Sequence, residues 1–199
     1  MRYRRLPCSR AVHVTTSLLL LLIPTAALLL WGMVLFNRLV RLRNQVRTAW
    51  ADIDVQLLRR HDLVPALVSA VQAYAGHEQG VLEAVTALRA QASAERAPAR
   101  LGEVEGQLEQ ALGRLVALKE AYPELKASHH FLQLQRDLVD VEETLQYARR
   151  FYNGAVRDYN DAVQRMPDLL VARGFGFDGA EFFQAGDGTR AAVKVQLAR

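Results

Sequence analysis

Residues 11–36 read AVHVTTSLLLLLIPTAALLLWGMVLF and contain no Asp, Glu, Lys or Arg. About 20 mostly apolar residues are enough for a helix to cross the hydrocarbon core of a bilayer, so this run predicts a transmembrane helix. The next residues, 37–43, read NRLVRLR and follow without a Gly- or Ser-rich linker. We therefore expect a membrane helix that passes directly into a soluble helix, in a protein that acts beside a bilayer.

A cleaved secretory signal is the alternative interpretation of this run, because basic residues also precede the apolar core of a signal peptide. Such a core is about 7–15 residues long and ends at a small-residue cleavage site. Here the small cluster Thr25-Ala26-Ala27 is followed by nine more uncharged residues, and cleavage would leave an apolar N-terminus. We expect an uncleaved anchor.

The basic side chains are concentrated around the apolar run. Residues 1–47 hold eight Arg and no acidic residue, whereas the rest of the chain holds 17 basic and 21 acidic side chains. A nucleic-acid-binding protein concentrates basic charge on its folded domain, so we expect no nucleic-acid partner despite a pI near 9.5. Basic flanks instead suit anionic headgroups, which makes membrane lipids expected partners. The candidate membrane-interface residues are Arg38, Arg41, Arg43 and Arg47. With four Arg on each side of the run, the positive-inside rule does not decide the orientation.

After this run, apolar residues recur at steps of three or four, which is the period of one face of a helix. The first stripe comprises Leu39, Leu42, Val46, Trp50, Ile53, Leu57, Val64, Val68 and Val71. The longest stripe comprises Phe131, Leu134, Leu138, Val141, Leu145, Ala148, Tyr152, Ala155, Tyr159, Val163 and Met166. Breaks at Gly76, Pro98 and Pro123 let one chain fold back on itself, which favours an intramolecular antiparallel bundle over an intermolecular coiled coil.

Two details of the bundle can be predicted from the same pattern. Pro65 has no N–H to bond back to His61, so we expect a kink there or a new helix with Asp62 as N-cap. The stripes over residues 81–92 and 101–122 predict two shorter helices, which we expect to lie end to end beside the long pair.

The sequence thus predicts an all-α fold in four parts. A basic tail covers residues 1–10, the transmembrane helix 11–36, an antiparallel bundle of three to four helices 37–167, and a Phe- and Gly-rich C-terminal segment 168–199. We expect the phenylalanines of this last part to pack against the bundle, and the alternation of Val193, Val195 and Leu197 indicates a short strand or extended tail. A partner-binding site in the C-terminal part is the alternative.

A seven-residue repeat marks the longest helix. The sequence RFYNGAV at 150–156 recurs as RDYNDAV at 157–163. Tyr buries its ring and keeps its hydroxyl paired, and Asn at a helix seam can fix register. We therefore predict that Tyr152, Asn153, Tyr159 and Asn160 form polar packing layers along one seam, with a partner surface as the alternative.

The residue patterns do not indicate catalysis. His77-Glu78 begins like the zinc-protease motif His-Glu-x-x-His, but the fifth position is Val81. His129 and His130 are adjacent and point about 100° apart on a helix. We predict no enzymatic activity, no cofactor and no metal site. A metal-binding or enzymatic protein using His61, His77, His129 or His130 remains the less favoured alternative.

Several segments together resemble the LemA family in order and spacing. They are VRLRNQV at 40–46, AWADIDVQL at 49–57, RRHDLVP at 59–65, YAGHE at 74–78, YPELKA at 122–127, ARRFYN at 148–153 and FGF at 175–177. The resemblance implies a bacterial single-pass protein of the inner membrane with a long helical bundle on the cytoplasmic side, in a family without a settled enzymatic activity.

From this we expect a non-catalytic scaffold or adaptor for other membrane or envelope proteins. Its partners would be membrane lipids and unidentified proteins, and homo-oligomerisation is left open. Sensing of anionic lipid by the Arg38–Arg47 segment is the alternative function.

Overall fold

A computed structural model describes the backbone of residues 8–184 and the side chains of residues 21–184. Its helices are α1 (Cys8–Gln72), α2 (Gln79–Ala94), α3 (Pro98–Ala117), α4 (Pro123–Ala127), α5 (His129–Gln164) and α6 (Asp168–Phe175), with a 3-10 turn at Leu118–Glu120. Within the described backbone every regular element is a helix, which confirms the predicted all-α class. The predicted strand around Val193 lies outside the described residues.

Helix α1 is one continuous element from the membrane segment to the far end of the bundle. Large apolar side chains from Leu21 (72% exposed) to Val34 (64%) have no packing partners to cover them, whereas Leu35 (8%) and Leu39 (0%) are buried. Among the described residues, α1 is the one helix long and apolar enough to cross a membrane. The exposed part therefore precedes Leu35, where packing of the bundle begins.

The expectation of a new helix start near Pro65 is wrong, because α1 contains Pro65 in its interior. The carbonyl of His61, which Pro65 cannot satisfy, accepts a hydrogen bond from Nε of Arg89 on α2 at 2.7 Å. A side chain from a neighbouring helix thus replaces the missing backbone donor, and Asp62 is an exposed position inside the helix.

The bundle has two halves of different construction. In the distal half, α1 from Val64 to Val71, Ala75 just after it, α2, α3 and the start of α5 share one apolar core. In the membrane-proximal half, α1 (Leu39–Leu57) packs against the second part of α5, and residues of the C-terminal part complete the core. Helix α5 therefore runs antiparallel to α1 along nearly the whole bundle.

The expectation that the two short helices lie end to end is also wrong. Leu82 and Val85 of α2 and Leu108 and Leu112 of α3 belong to the same distal core, so the helices lie side by side. Only three residues separate α2 from α3, and so short a connection gives antiparallel neighbours. The Glu95 carboxylate fixes this turn by accepting hydrogen bonds from the next two backbone N–H groups at 2.8 and 2.9 Å.

Helix α6 is an element that the apolar pattern did not predict. It begins directly after Pro167 and ends at Gly176, whose φ of 67° is left-handed, a conformation that Gly adopts without steric cost. The N–H of Phe177 then bonds to the carbonyl of Ala172 at 2.9 Å. This cap turns the chain away from α6 and sends it back along α5.

Candidate functional site

The Tyr–Asn repeat of α5 holds the C-terminal segment, defined here as residues 177–184. Asn160 donates from Nδ2 to the carbonyl of Ala180 at 2.9 Å and accepts from its N–H at 2.8 Å. Asn153 makes the same pair of bonds with Phe183, at 3.0 and 2.9 Å. Each amide side chain thus pairs with both backbone polar groups of one residue, as a neighbouring strand would.

The two tyrosines extend this pairing. The hydroxyl of Tyr159 donates to the carbonyl of Asp178 and that of Tyr152 to the carbonyl of Glu181, both at 2.8 Å. Burial is the main cause that raises the pKa of both tyrosines above the ordinary 10.0. Both hydroxyls therefore keep their donor proton at neutral pH.

A match of spacings explains why the repeat is seven residues long. Seven helical residues advance about 10.5 Å at 1.5 Å each, and three extended residues span about 10 Å at 3.3–3.4 Å each. Asn160 and Asn153 bond to Ala180 and Phe183, which are three residues apart. The partners of the two tyrosines, Asp178 and Glu181, are also three residues apart. The heptad of the helix is therefore in register with an extended chain that runs antiparallel to it.

The structure places these four residues differently from the predicted polar layers between helices. Tyr152 and Tyr159 are buried, as expected for packing residues. However, their hydroxyls and the two Asn amides bond to the C-terminal segment rather than to another helix. The sequence identified the residues, but not the element that they hold.

Aromatic packing joins the C-terminal segment to α1. Phe177 (7% exposed) and Phe183 (3%) are buried in the membrane-proximal core, which confirms the expectation for these two phenylalanines. Trp50 contacts the ring of Tyr152 edge-on, with 5.2 Å between centroids, and lies 6.2 Å from that of Phe183. Phe175 (69% exposed) and Phe182 (44%) are not covered by this core.

The end of the C-terminal segment passes so close to α3 that only Gly fits there. A Cβ on Gly102 would lie 1.9 Å from the backbone oxygen of Gln184. We expect Gly102→Ala to displace the segment and lower the melting temperature. Gly113 on the same helix has open space around its Cα, so Gly113→Ala should raise stability by about 0.5–1 kcal/mol through helix propensity. Circular dichroism melts of the two variants test this contrast, and equal shifts in the same direction would contradict it.

A buried ionic cluster lies at the junction of the two halves. It comprises Arg60, His61, Glu105, Glu109, Glu142 and Arg149. Arg60 (1% exposed) and Glu105 (0%) are among the largest fully buried side chains. The Glu105 carboxylate lies 2.9 Å from Nη1 of Arg60 and 2.6 Å from Nε2 of His61. Glu105 therefore links α3 to α1 through both of its oxygens.

The cluster extends from this centre to α5. Nη2 of Arg60 lies 2.7 Å from Glu142, and the guanidinium of Arg149 lies 3.6 Å from Glu109. Desolvation raises the pKa of the Glu142 carboxyl and lowers that of Arg149. Arg149 also lies over the ring of Phe183, 5.1 Å from its centroid, so the cluster contacts the C-terminal segment.

The chemistry available to His61 is limited by these contacts. Its Nε2 faces the Glu105 carboxylate, and its Nδ1 lies 3.3 Å from Oγ of Ser93. The Ser93 hydroxyl also donates to the carbonyl of Arg89 at 2.9 Å. Both ring nitrogens are thus occupied in cross-links between α1, α2 and α3. Among the side chains of residues 21–184, no three His, Cys, Asp or Glu are grouped so as to hold a metal ion.

Two of the arginines at the membrane end of α1 contact the C-terminal part of the chain. Arg38 pairs with the buried carboxylate of Asp168 at 2.5 Å, and Arg43 lies 5.9 Å from the ring centroid of Phe177. Arg41 and Arg47 are exposed on the same helix. Two of the four candidate membrane-interface residues thus contact the C-terminal part, and all four stay exposed.

Sequence reasoning missed the acidic members of the ionic cluster, although a signal was present. Glu105 is four residues after Leu101 and three before Leu108, so it occupies a position of the apolar stripe. Glu142 stands in the same way between Leu138 and Leu145. A carboxylate in the register of a core face has to be paired when it is buried.

Comparison with known proteins places this fold in a family. The profile of the LemA family matches residues 49–197, which is most of the chain and includes the whole bundle from Ala49 onward. The chain belongs to the LemA family. Protein LemA of Metamycoplasma hominis is 25% identical to it over 167 residues, covering 82% of this chain and 75% of that protein.

Other relatives of this LemA-family chain share a shorter segment with it. The magnetosome proteins MamQ 1 and MamQ 2 of Paramagnetospirillum magneticum are each 35% identical over 86 residues, and MamQ of Magnetospirillum gryphiswaldense is 33% identical over the same length. The match covers 42% of this chain and spans about a third, 32%, of each MamQ protein. Together with the apolar part of α1, family membership makes this a membrane-associated protein of LemA type.

Proposed function

We propose that this LemA-family protein is a non-catalytic, membrane-anchored scaffold for other membrane or envelope proteins. The observation that carries the proposal is the continuity of α1 from the membrane segment into the bundle. From Leu35 to Gln72 the helix rises about 57 Å at 1.5 Å per residue. Surfaces of the bundle are thus held at fixed distances from the bilayer.

The interior of the bundle supports a rigid scaffold. The ion pairs of Glu105 and the paired amides of Asn153 and Asn160 join elements far apart in the chain. Buried polar groups that are satisfied in this way favour one arrangement of the core.

The outward face of α5 offers a candidate contact surface for a partner. Tyr147 (69% exposed) and Phe151 (52%) are four residues apart and share one face of the helix. The guanidinium of Arg150 lies 4.6 Å from the ring centroid of Tyr147. Exposed aromatic and Arg side chains are the types enriched at the centres of protein interfaces. We place the bundle on the cytoplasmic side of the inner membrane, as in the LemA resemblance.

Photo-cross-linking in intact cells tests the scaffold function. A photoreactive residue at Tyr147 or Phe151 is expected to give a discrete protein adduct, whereas the same residue at Asp158 on the same face of α5, farther toward its C-terminus, gives less. Arg150→Ala should reduce the yield at Tyr147. Identification of the adduct by mass spectrometry reports the partner, and a partner with a cytoplasmic domain supports the orientation. Equal yields at all three positions, or adducts with lipid alone, would count against the proposal.

A further inference from the structure

Helix α6 and the turn just before it carry three exposed apolar side chains. Met166 (62% exposed), Leu170 (62%) and Phe175 (69%) lie within ten residues of one another. Scattered apolar residues on a surface are ordinary. Phe175, however, adjoins the point at which the exposed apolar part of α1 ends, because it packs edge-on against Phe36 with 5.0 Å between centroids.

The contacts of α6 define its direction relative to α1. Asp168, at its start, pairs with Arg38, and Phe175, at its end, contacts Phe36. The two α6 residues are seven positions apart, about 10.5 Å along that helix, whereas their partners are separated by about 3 Å along α1. Helix α6 therefore crosses α1 instead of following it, and lies across the membrane end of the bundle.

The basic residues of α6 and of the turn just before it suit contact with lipid headgroups. Arg165 and Arg173 are exposed beside the apolar residues, whereas the one acid of α6, Asp168, is buried against Arg38. An amphipathic helix with exposed apolar residues and basic neighbours is the arrangement that lies in the plane of a bilayer interface. Basic side chains near the surface each contribute on the order of 1 kcal/mol of attraction to anionic lipids.

We propose that α6 is a second membrane contact, an interfacial helix that inserts Met166, Leu170 and Phe175 into the bilayer that α1 crosses. Arg165 and Arg173 bind anionic headgroups there. Continuity with the membrane segment of α1 identifies the occupant of this surface as lipid: Val34, where the run of exposed apolar residues that begins at Leu21 ends, is only two positions from Phe36. The bundle is then fixed to the membrane at two points, which sets its tilt. This inference rests on the membrane anchoring in the proposed function.

Spin-label accessibility of the full chain in nanodiscs tests the contact. The single cysteine, Cys8, is replaced by Ser, and labels are placed separately at Leu170→Cys, Leu58→Cys and Met33→Cys. Leu58 is the matched control, since it is a leucine of equal exposure (63%) on the part of α1 within the bundle, and Met33 (63%) is the membrane reference. Power saturation is measured with oxygen and with a water-soluble nickel complex.

The ratio of oxygen to nickel accessibility at position 170 is expected to exceed that at 58 several-fold and to approach that at 33. It should rise further when phosphatidylglycerol is added to phosphatidylcholine discs. A ratio at 170 equal to that at 58 would overturn the proposal, as would shielding of 170 from both reagents, which indicates protein cover. If position 33 itself is accessible to nickel, the membrane anchor fails and with it the proposed function.

Discussion

Glu105→Ala is expected to destabilise the bundle by about 3–5 kcal/mol, because it leaves Arg60 and His61 buried without their shared carboxylate. Arg60 is 1% exposed and Glu105 is fully buried, so water cannot replace the lost partner. For a chain of this size the loss corresponds to a fall in melting temperature on the order of 10 °C. Circular dichroism of the full chain in nanodiscs measures it.

Two further variants distinguish the loss of the ion pair from a general effect of substituting residues in α3. Glu103 is exposed two residues away, and Glu103→Ala should change stability by less than about 0.5 kcal/mol. Arg60→Met combined with Glu105→Leu should cost less than the sum of the single changes, because neither Arg60 nor Glu105 then remains buried opposite a missing partner, although His61 and Glu142 each lose one contact. If the losses of stability in the two single variants add up to the loss in the double variant, the contact between Arg60 and Glu105 does not contribute to stability as the structure indicates.

Replacement of both Asn153 and Asn160 by Ala is expected to release the C-terminal segment while the helices stay folded. The two side chains make four hydrogen bonds to Ala180 and Phe183. At about 0.5–1.5 kcal/mol for each bond, the four bonds sum to about 2–6 kcal/mol, so protection of those two amides from hydrogen exchange should fall by a factor on the order of 10²–10⁴. Trp50, which lies close to Phe183, should become more exposed and shift its fluorescence.

Hydrogen exchange resolved by residue provides both the measurement and the internal control. The amides of Val141 and Leu145 in α5 should keep their protection. Asn44→Ala, at an exposed amide on α1, should leave the segment protected. Unchanged exchange at Ala180 and Phe183 in the double variant would mean that burial of Phe177 and Phe183 alone holds the segment.

The helical fold could be predicted because it depends on short-range periodicity. Apolar steps of three and four residues in a single stretch of chain identify a buried face, and residues such as Ile53, Leu108 and Leu145 are indeed fully buried. The charge-free run at residues 11–36 is a local signal of the same kind. The apolar period and the charge-free run can both be recognised without knowing which other segment of the chain packs against them.

The functional details that were missed depend on pairing between distant segments. Nothing local to Asn160 indicates that its partner is Ala180 rather than another helix, and Arg60 is 45 residues from Glu105. Pro65 shows the same limit: its local rule predicted a break, and Arg89 on α2 compensates for the lost bond. The shortness of α6, eight residues, left too few positions for its period to be recognised.

The position of α6 and the C-terminal segment in the membrane-proximal half has a consequence for the order of folding. The distal half can form from residues made in the middle of the chain, because its cross-links, such as Arg60 to Glu105, close loops of moderate length. The membrane-proximal half depends on pairs such as Arg38 with Asp168, 130 positions apart, and contacts so distant in sequence form slowly. We therefore expect the bundle to close first at its far end during synthesis, and the part next to the bilayer to close only after residues 168–184 have left the ribosome.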